Sequence, residues 1–138
     1  ALPILEYSKL FENRSKLFLN SSYNIFEYKN SYYNFDINTP VVSKLTTTLG
    51  FIYPLSSKFT ISPLLRYYGD KNLLNGTEID DVLLTDLTLS YRFSKDSKLS
   101  FGAKNLFDQN YYYYGNKTKD EKMLREGRTW FTSFSYDF

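Results

Sequence analysis

The sequence predicts an all-β protein, an antiparallel transmembrane β-barrel wall of about seven strands. Three observations carry this. Apolar and polar side chains alternate with a period of two over long stretches. The polar connections between those stretches are short and long in turn. Aromatic residues make up 20% of the 138 residues, with 14 Tyr and 12 Phe, yet the mean hydropathy is negative. Strands that are apolar on one face and polar on the other reconcile these two facts. A soluble β-protein would need a large core to hide so much aromatic area.

From Leu45 to Tyr53 the odd positions are Leu45, Thr47, Leu49, Phe51 and Tyr53, set against Thr46, Thr48, Gly50 and Ile52. From Phe59 to Tyr67 they are Phe59, Ile61, Pro63, Leu65 and Tyr67, with Thr60, Ser62, Leu64 and Arg66 between. From Leu87 to Phe93 they are Leu87, Leu89, Tyr91 and Phe93, against Thr88, Ser90 and Arg92. Each set therefore occupies one face of a strand. Carried along the chain, the pattern predicts strands over Ile4–Phe11, Lys16–Tyr28, Ser43–Pro54, Lys58–Asp70, Val82–Phe93, Lys98–Tyr111 and Arg128–Phe138. Several are longer than the average globular strand of about 5–6 residues. They match the roughly 9–11 residues that cross a bilayer at a tilt. No segment has a helical period, and no run approaches the roughly 20 apolar residues of a transmembrane helix.

Short polar turns fall at 12–15, 55–57 and 94–97, and longer loops at 29–42, 71–81 and 112–127. Short turns at one end and long loops at the other is the layout of an outer-membrane barrel. A weak repeat follows each short turn: Ser15-Lys16-Leu17, Ser57-Lys58-Phe59 and Ser97-Lys98-Leu99. It fits an up-and-down strand pair recurring with a long loop better than propeller blades, which would add a Gly or Trp signature. Tyr53, Phe59, Tyr91, Phe93 and Tyr136 flank the short turns. Their rings suit a lower interfacial girdle; a β-sandwich core is the other reading of the same alternation.

Composition narrows the function. The net charge is +2 with 17 Lys and Arg spread among 15 Asp and Glu, and no basic block points to nucleic acid. Cysteine and histidine are both absent. Thiolate and imidazole metal ligands, a Cys nucleophile and a Ser-His hydrolase are thereby excluded for this chain. No enzyme, metal site or cofactor is expected. The acidic cluster Glu78, Asp80 and Asp81 lacks the ligand spacing of a dedicated Ca²⁺ loop and reads as a solvated loop.

A family resemblance covers most of the chain. Gly102-Ala103-Lys104-Asn105-Leu106-Phe107-Asp108 is followed by Tyr111, a loop, and Gly127-Arg128-Thr129-Trp130-Phe131. Thr85 to Phe93 precedes it as an alternating strand, and Arg66-Tyr67-Tyr68-Gly69-Asp70 ends the one before. These four elements, in this order, resemble the last strands of TonB-dependent receptors; the likeness is weaker before Thr39-Pro40. The final strand, with apolar side chains at Trp130, Phe134, Tyr136 and the terminal Phe138, resembles the signal read by the barrel-assembly machinery. The resemblance implies a multi-pass protein of the bacterial outer membrane, in a barrel of about 22 strands with a plugged lumen. Residues 1–138 would form the C-terminal part of that barrel. The plug, the earlier strands and the segment that contacts TonB would then lie outside this chain, which would begin internally.

On this reading the odd-numbered apolar set faces lipid. The lumen wall is then Asn20, Ser22, Asn24, Thr46, Thr48, Ser62, Arg66, Asp86, Thr88, Ser90, Arg92, Ser100, Lys104, Ser133 and Asp137. The long loops are rich in Tyr, which offers a rigid amphipathic surface. Tyr32, Tyr33, Tyr112, Tyr113 and Tyr114, with Arg66 near the outer end of its strand, are the candidate ligand contacts. An outer aromatic girdle and loop packing explain the same tyrosines without a ligand. The function implied is uptake of a scarce small-molecule nutrient, an iron chelate (siderophore or haem) first. The partners would be the remaining plug and barrel segment, the TonB complex, the barrel-assembly machinery and outer-membrane lipid. The alternative is a small autonomous outer-membrane barrel with a structural or adhesive role, for which an eighth strand is wanting. A lipocalin-like soluble barrel leaves the four motifs unexplained.

Overall fold

A computed structural model describes residues 4–24, 43–69, 71–72, 78–114 and 122–137. Seven strands form one sheet: β1 (Ile4–Leu10), β2 (Lys16–Tyr23), β3 (Leu45–Pro54), β4 (Phe59–Tyr68), β7 (Val82–Arg92), β8 (Ser97–Lys104) and β11 (Thr129–Tyr136). They lie in the order β1-β2-β3-β4-β7-β8-β11, and each pairs antiparallel with its neighbour. This is the up-and-down meander the alternating connections predicted. β1 and β11 stand at its two ends, so the sheet is an open wall among the described residues.

Two small hairpins prolong the sheet at the long-loop end. Lys71–Asn72 (β5) pairs with Glu78–Ile79 (β6), and Tyr112–Tyr114 (β9) pairs with Lys122–Leu124 (β10). Both sit in segments the sequence read as loops. A two- or three-residue strand is too short to show a period, which is why the pattern missed them. The expected strand Lys98–Tyr111 also ends sooner, at Lys104. Asn105 and Asp108 adopt φ of 50° and 55°, a left-handed conformation that no strand continues through and that Asn and Asp tolerate best. The predicted extension of β2 to Tyr28 lies beyond Asn24, outside the described residues.

The three short turns share one closure. Phe11 N–H donates to Ser15 O, Leu55 N–H to Phe59 O, and Phe93 N–H to Ser97 O, at 2.9, 2.9 and 3.3 Å. Local side chains cap all three: Asn13 Oδ1 accepts from Ser15 N–H at 3.0 Å, Ser56 Oγ from Phe59 N–H at 3.1 Å and Ser94 Oγ from Asp96 N–H at 3.3 Å. These are the Asn and Ser turn devices expected of such positions. The Ser-Lys-apolar repeat now has a cause. The register puts Lys16 and Lys98 toward one face and Leu17, Phe59 and Leu99 toward the other.

Register assigns every strand residue to a face, because directly paired residues share one. The pairs Leu19↔Leu49, Leu49↔Leu65, Ile61↔Leu89, Leu89↔Phe101 and Leu99↔Phe134 run across the sheet as one apolar surface. From β2 to β11 this surface consists of Leu, Ile, Phe, Tyr, Trp, Ala, Pro, Ser and Thr. It carries no charged side chain among the described residues. Two of its hydroxyls, Ser21 and Thr47, satisfy each other at 2.8 Å. The opposite face holds Lys16, Asn20, Arg66, Asp86, Arg92, Lys98 and Lys104. Large apolar side chains on the first face are open: Phe134 is 61% exposed, Trp130 56% and Phe101 50%. Pro63 sits in the middle of this surface. The β3–β4 ladder is interrupted opposite it, between Gly50↔Leu64 and Tyr53↔Ile61, as expected of a residue with no N–H to give.

The polar face has two flat aromatic plates. Phe18 pairs with Gly50 and Phe131 with Gly102. A Cβ on Gly50 would stand 2.0 Å from the Phe18 ring, and one on Gly102 would stand 2.6 Å from the Phe131 ring. Each ring thus lies over backbone that only glycine leaves bare, the arrangement by which an aromatic shields a strand glycine.

Candidate functional site

The half of the sheet nearer the long loops holds a polar cluster built around Asp86, in the middle of β7. On the polar face of β4 and β7, Arg66 and Asp86 are diagonal neighbours, each directly opposite a leucine (Leu84 and Leu64). Arg66 Nη2 donates to Asp86 Oδ1 at 2.8 Å, with side-chain exposures of 26% and 12%. Leu84 beside them is fully buried. The same Asp86 oxygen accepts the backbone N–H of Asn105 at 2.9 Å. Arg66 Nε is buried without a hydrogen-bond partner among the described residues. The guanidinium offered in the sequence reading as a ligand contact is therefore already held on one side by a carboxylate, and one of its donors is left over.

The Asn105-Leu106-Phe107-Asp108 motif forms the turn that follows. Asn105 Nδ2 donates to Gln109 O at 2.8 Å, and Asn105 Oδ1 accepts from Gln109 N–H at 2.9 Å. Leu106 N–H returns to Thr85 O at 2.7 Å, and Asp108 N–H closes the turn on Asn105 O at 2.8 Å. Asp108 then reaches across the base of the loop, where its Oδ1 accepts Arg128 N–H at 2.6 Å. A Cβ on Gly127 would lie 2.5 Å from that oxygen, so the glycine before Arg128 is what lets the carboxylate in. Arg128 itself extends over the Trp130 ring, 5.7 Å from its centroid, within cation–π range. Arg125 N–H donates to Tyr111 O at 2.9 Å, and the β9–β10 hairpin continues the same stem. The residues of the motif are thus the two sides of a staple that closes the loop at its base.

Of the candidate ligand contacts, Arg66 and Tyr112 are fully described, and Tyr112 is exposed on the stem. Tyr113 and Tyr114 pair with Met123 and Lys122 along the backbone of that stem. Tyr32 and Tyr33 lie outside the described residues. Arg66 is the third residue from the long-loop end of β4, and the run Tyr112–Tyr114 forms one strand of the β9–β10 hairpin. In the acidic segment, Tyr67 Oη donates to Asp81 at 3.2 Å. The sequence reading put Arg66 and Asp86 on the same wall but did not pair them. The antiparallel register would have supplied the pairing, since it makes them diagonal neighbours.

At the other end the expected aromatic girdle forms as a chain of rings. Phe59 and Tyr91 are 4.6 Å apart between centroids, Tyr91 and Phe93 6.3 Å, and Phe93 and Phe134 6.0 Å. Phe51 and Tyr53 stack at 5.8 Å beside them. Tyr136 lies on the same outer face of the last strand, two residues below Phe134. Trp130 stacks on Phe101 at 5.5 Å near the opposite end. Trp130, Phe134 and Tyr136, the described members of the expected assembly signal, all face outward and are exposed; Phe138 is outside the described residues.

No protein-family profile matches the chain. A curated relative, the vitamin B12 transporter BtuB of Vibrio vulnificus (strain YJ016), is 28% identical over 83 residues, 60% of this chain and 13% of its own length. Among solved structures, the ferric enterobactin receptor PfeA of Pseudomonas aeruginosa superposes with a TM-score of 0.73 at 18% identity, covering 99% of this chain and 22% of that one. The ferric-catecholate import receptor Fiu of E. coli K12 gives 0.74 at 17%, covering 99% and 21%. The copper transporter OprC gives 0.71 at 21%, covering 99% and 24%. The chain thus spans a quarter or less of each of these proteins. The likeness read from the terminal motifs is borne out in both sequence and fold: this chain is similar to the C-terminal barrel segment of a TonB-dependent receptor.

Proposed function

We propose that the chain is the C-terminal wall of a TonB-dependent outer-membrane uptake receptor, with an iron chelate as its cargo. The observation that carries this is the segregation of charge. One face of the sheet is apolar and uncharged from β2 to β11, and the other collects the Lys, Arg and Asp side chains. In a soluble protein such a face would need a second sheet or a helix layer to cover it. In a bilayer, lipid covers it, and a cation there would cost about 2–4 kcal/mol at the midplane. From Phe59 to Tyr67 the strand runs nine residues, about 26 Å along its axis. At a strand tilt of about 35–45° this rises about 20 Å, most of an apolar band of about 25 Å between aromatic girdles.

The polar face is then a lumen wall. A plug and the earlier strands, supplied from outside residues 1–138, complete the barrel. TonB acts through that plug, and the barrel-assembly machinery engages the last strand. The iron chelate is favoured by the relatives named for ferric enterobactin and ferric catecholates. Vitamin B12 and copper are named for others and are the competing cargoes. The chain has no histidine, so imidazole ligation of haem would fall to other segments, and a siderophore is the better fit. A self-contained small barrel would need β1 and β11 to meet, whereas they lie at opposite ends of the sheet.

The test is purification from native outer membranes, followed by intact mass and by denaturing gels with and without boiling. A heat-modifiable species far above 16.3 kDa, or a second chain carrying plug and strands, supports the receptor. A lone, heat-modifiable species of the chain's own mass overturns it. Saturable quenching of protein fluorescence by a ferric catecholate, and not by cobalamin or Cu²⁺, would identify the cargo.

A further inference from the structure

The aromatic girdle has a notch at β2. From β3 to β11 the rings fall in two groups, Phe51 with Tyr53 and Phe59 with Tyr91, Phe93 and Phe134. On β1 the next ring is Phe11, just past the strand end. Between Phe11 and Tyr53 the sheet offers only Ser15, which is 2% exposed and whose hydroxyl is tied to Asn13 Oδ1 at 2.6 Å. The result is an open groove of about 740 Å³, lined by Lys9, Leu10, Phe11, Glu12, Asn13, Ser15, Phe51 and Tyr53. Its walls are aromatic, its floor is a serine already satisfied internally, and it carries one charge of each sign. Lys9 is the outward cation of the edge strand, directly paired with Leu17, and its Nζ lies 5.1 Å from the Phe11 ring centroid.

We propose that this notch binds the headgroup of a zwitterionic phospholipid, phosphatidylethanolamine, in the leaflet on the short-turn side. The inference rests on the outer-membrane reading above, which places the girdle, and so the notch, at headgroup depth. Lys9 is a compact ammonium with three donors and suits a phosphate oxygen. Glu12 offers a carboxylate to the lipid ammonium. The Phe11, Phe51 and Tyr53 rings line the path of the acyl chain at the height where aromatic bodies meet hydrocarbon. One cation and one anion on the rim match a headgroup of zero net charge. An anionic phosphatidylglycerol would meet Lys9 but be repelled by Glu12.

The experiment is native mass spectrometry of the membrane-purified protein, re-equilibrated with vesicles of phosphatidylethanolamine and phosphatidylglycerol in equal amounts. One phosphatidylethanolamine retained in preference to phosphatidylglycerol is expected. Lys9→Gln should lower its retention by on the order of threefold to fivefold, the size of one partly exposed charge interaction. Glu12→Lys should turn the preference toward phosphatidylglycerol, which a merely structural role for this turn would not do. Retention that is equal for the two lipids, or that Lys9→Gln and Glu12→Lys both leave unchanged, overturns the site while the receptor reading stands. A protein that fails to partition into either vesicle and shows no heat-modifiability overturns both.

Discussion

The backbone N–H of Asn105 donates to Asp86 Oδ1 at 2.9 Å, joining the end of β8 to the middle of β7. The same oxygen takes Arg66 Nη2, so one carboxylate ties three strands, β4, β7 and β8. Removing it leaves a half-buried guanidinium unpaired and an N–H without its acceptor. Asp86→Ala should destabilise the folded protein by about 3 kcal/mol, toward the lower end of the cost of breaking a buried pair. Arg66→Met on that background should restore part of the loss, because the orphaned charge is gone, whereas Asn105 N–H stays unsatisfied. Urea midpoints in lipid vesicles for the two single variants and the double variant would give the coupling. Additive losses would mean that the ion pair contributes nothing.

How far the sequence reached follows from which interactions are periodic. The faces were legible because register preserves the period of two. Asn20, Thr46, Arg66, Thr88 and Ser100 were read as one wall, and the strand pairing puts them on one face. The girdle residues Phe59, Tyr91 and Phe93 were legible for the same reason. What the period could not show were contacts that depend on turn geometry. Asp108 meets Arg128 N–H only because Asn105 and Asp108 take left-handed φ, which alternation does not encode. The ring of Phe131 over Gly102 needed the β8–β11 register. The tyrosines of the 112–114 run were found by composition alone, and their pairing into a hairpin was not.

The glycines under the aromatic plates make a sharper test of packing. A methyl group at Gly50 would collide with the Phe18 ring, its nearest atom 2.0 Å away. A ring can rotate, so the cost is that of overpacking rather than of a backbone clash. Gly50→Ala should destabilise by about 1–3 kcal/mol, and Phe18→Ala together with Gly50→Ala should cost less than the sum of the two single losses, because the clash is absent once the ring is gone. Thermal loss of heat-modifiability on gels is a sufficient readout. Losses that simply add would show that the ring and the glycine are not coupled by steric fit.

The assignment of faces can be read from a single pair of neighbours. Leu87 and Thr88 are adjacent in β7 and point to opposite sides, Leu87 paired with Ala103 and Thr88 with Gly102. On the proposed membrane reading Leu87→Arg puts a cation in the lipid band and should cost about 2–4 kcal/mol. Thr88→Arg adds a cation to a wall that already carries Arg66 and Arg92, and should cost about 1 kcal/mol or less, as exposed substitutions do. Folding yield in vesicles at a fixed urea concentration separates the two. Equal effects would mean that the uncharged face is not against lipid.

The staple at Asp108 links stability to the candidate ligand surface. Its carboxylate holds Arg128 N–H at 2.6 Å, and Gly127 leaves the room for it. Beyond that point the backbone of Tyr112, Tyr113 and Tyr114 forms one side of the β9–β10 stem. Asp108→Ala removes a charge-assisted hydrogen bond, about 1–3 kcal/mol, but only from the base of the loop, leaving the sheet intact. The expected outcome is therefore a split. The urea midpoint should fall little, whereas hydrogen exchange over 109–128 should quicken, because local opening draws on the least stable contacts. Ligand affinity should weaken through a faster off-rate, since a loosened stem must be ordered again on binding. Asp108→Asn keeps an acceptor oxygen in place and should recover most of the protection. A Tyr112→Ala substitution should reduce affinity without changing exchange at the staple. If Asp108→Ala quickens exchange throughout β8 and β11, the carboxylate is holding the sheet and not the loop, and the tyrosine stem loses its claim to be a positioned ligand surface.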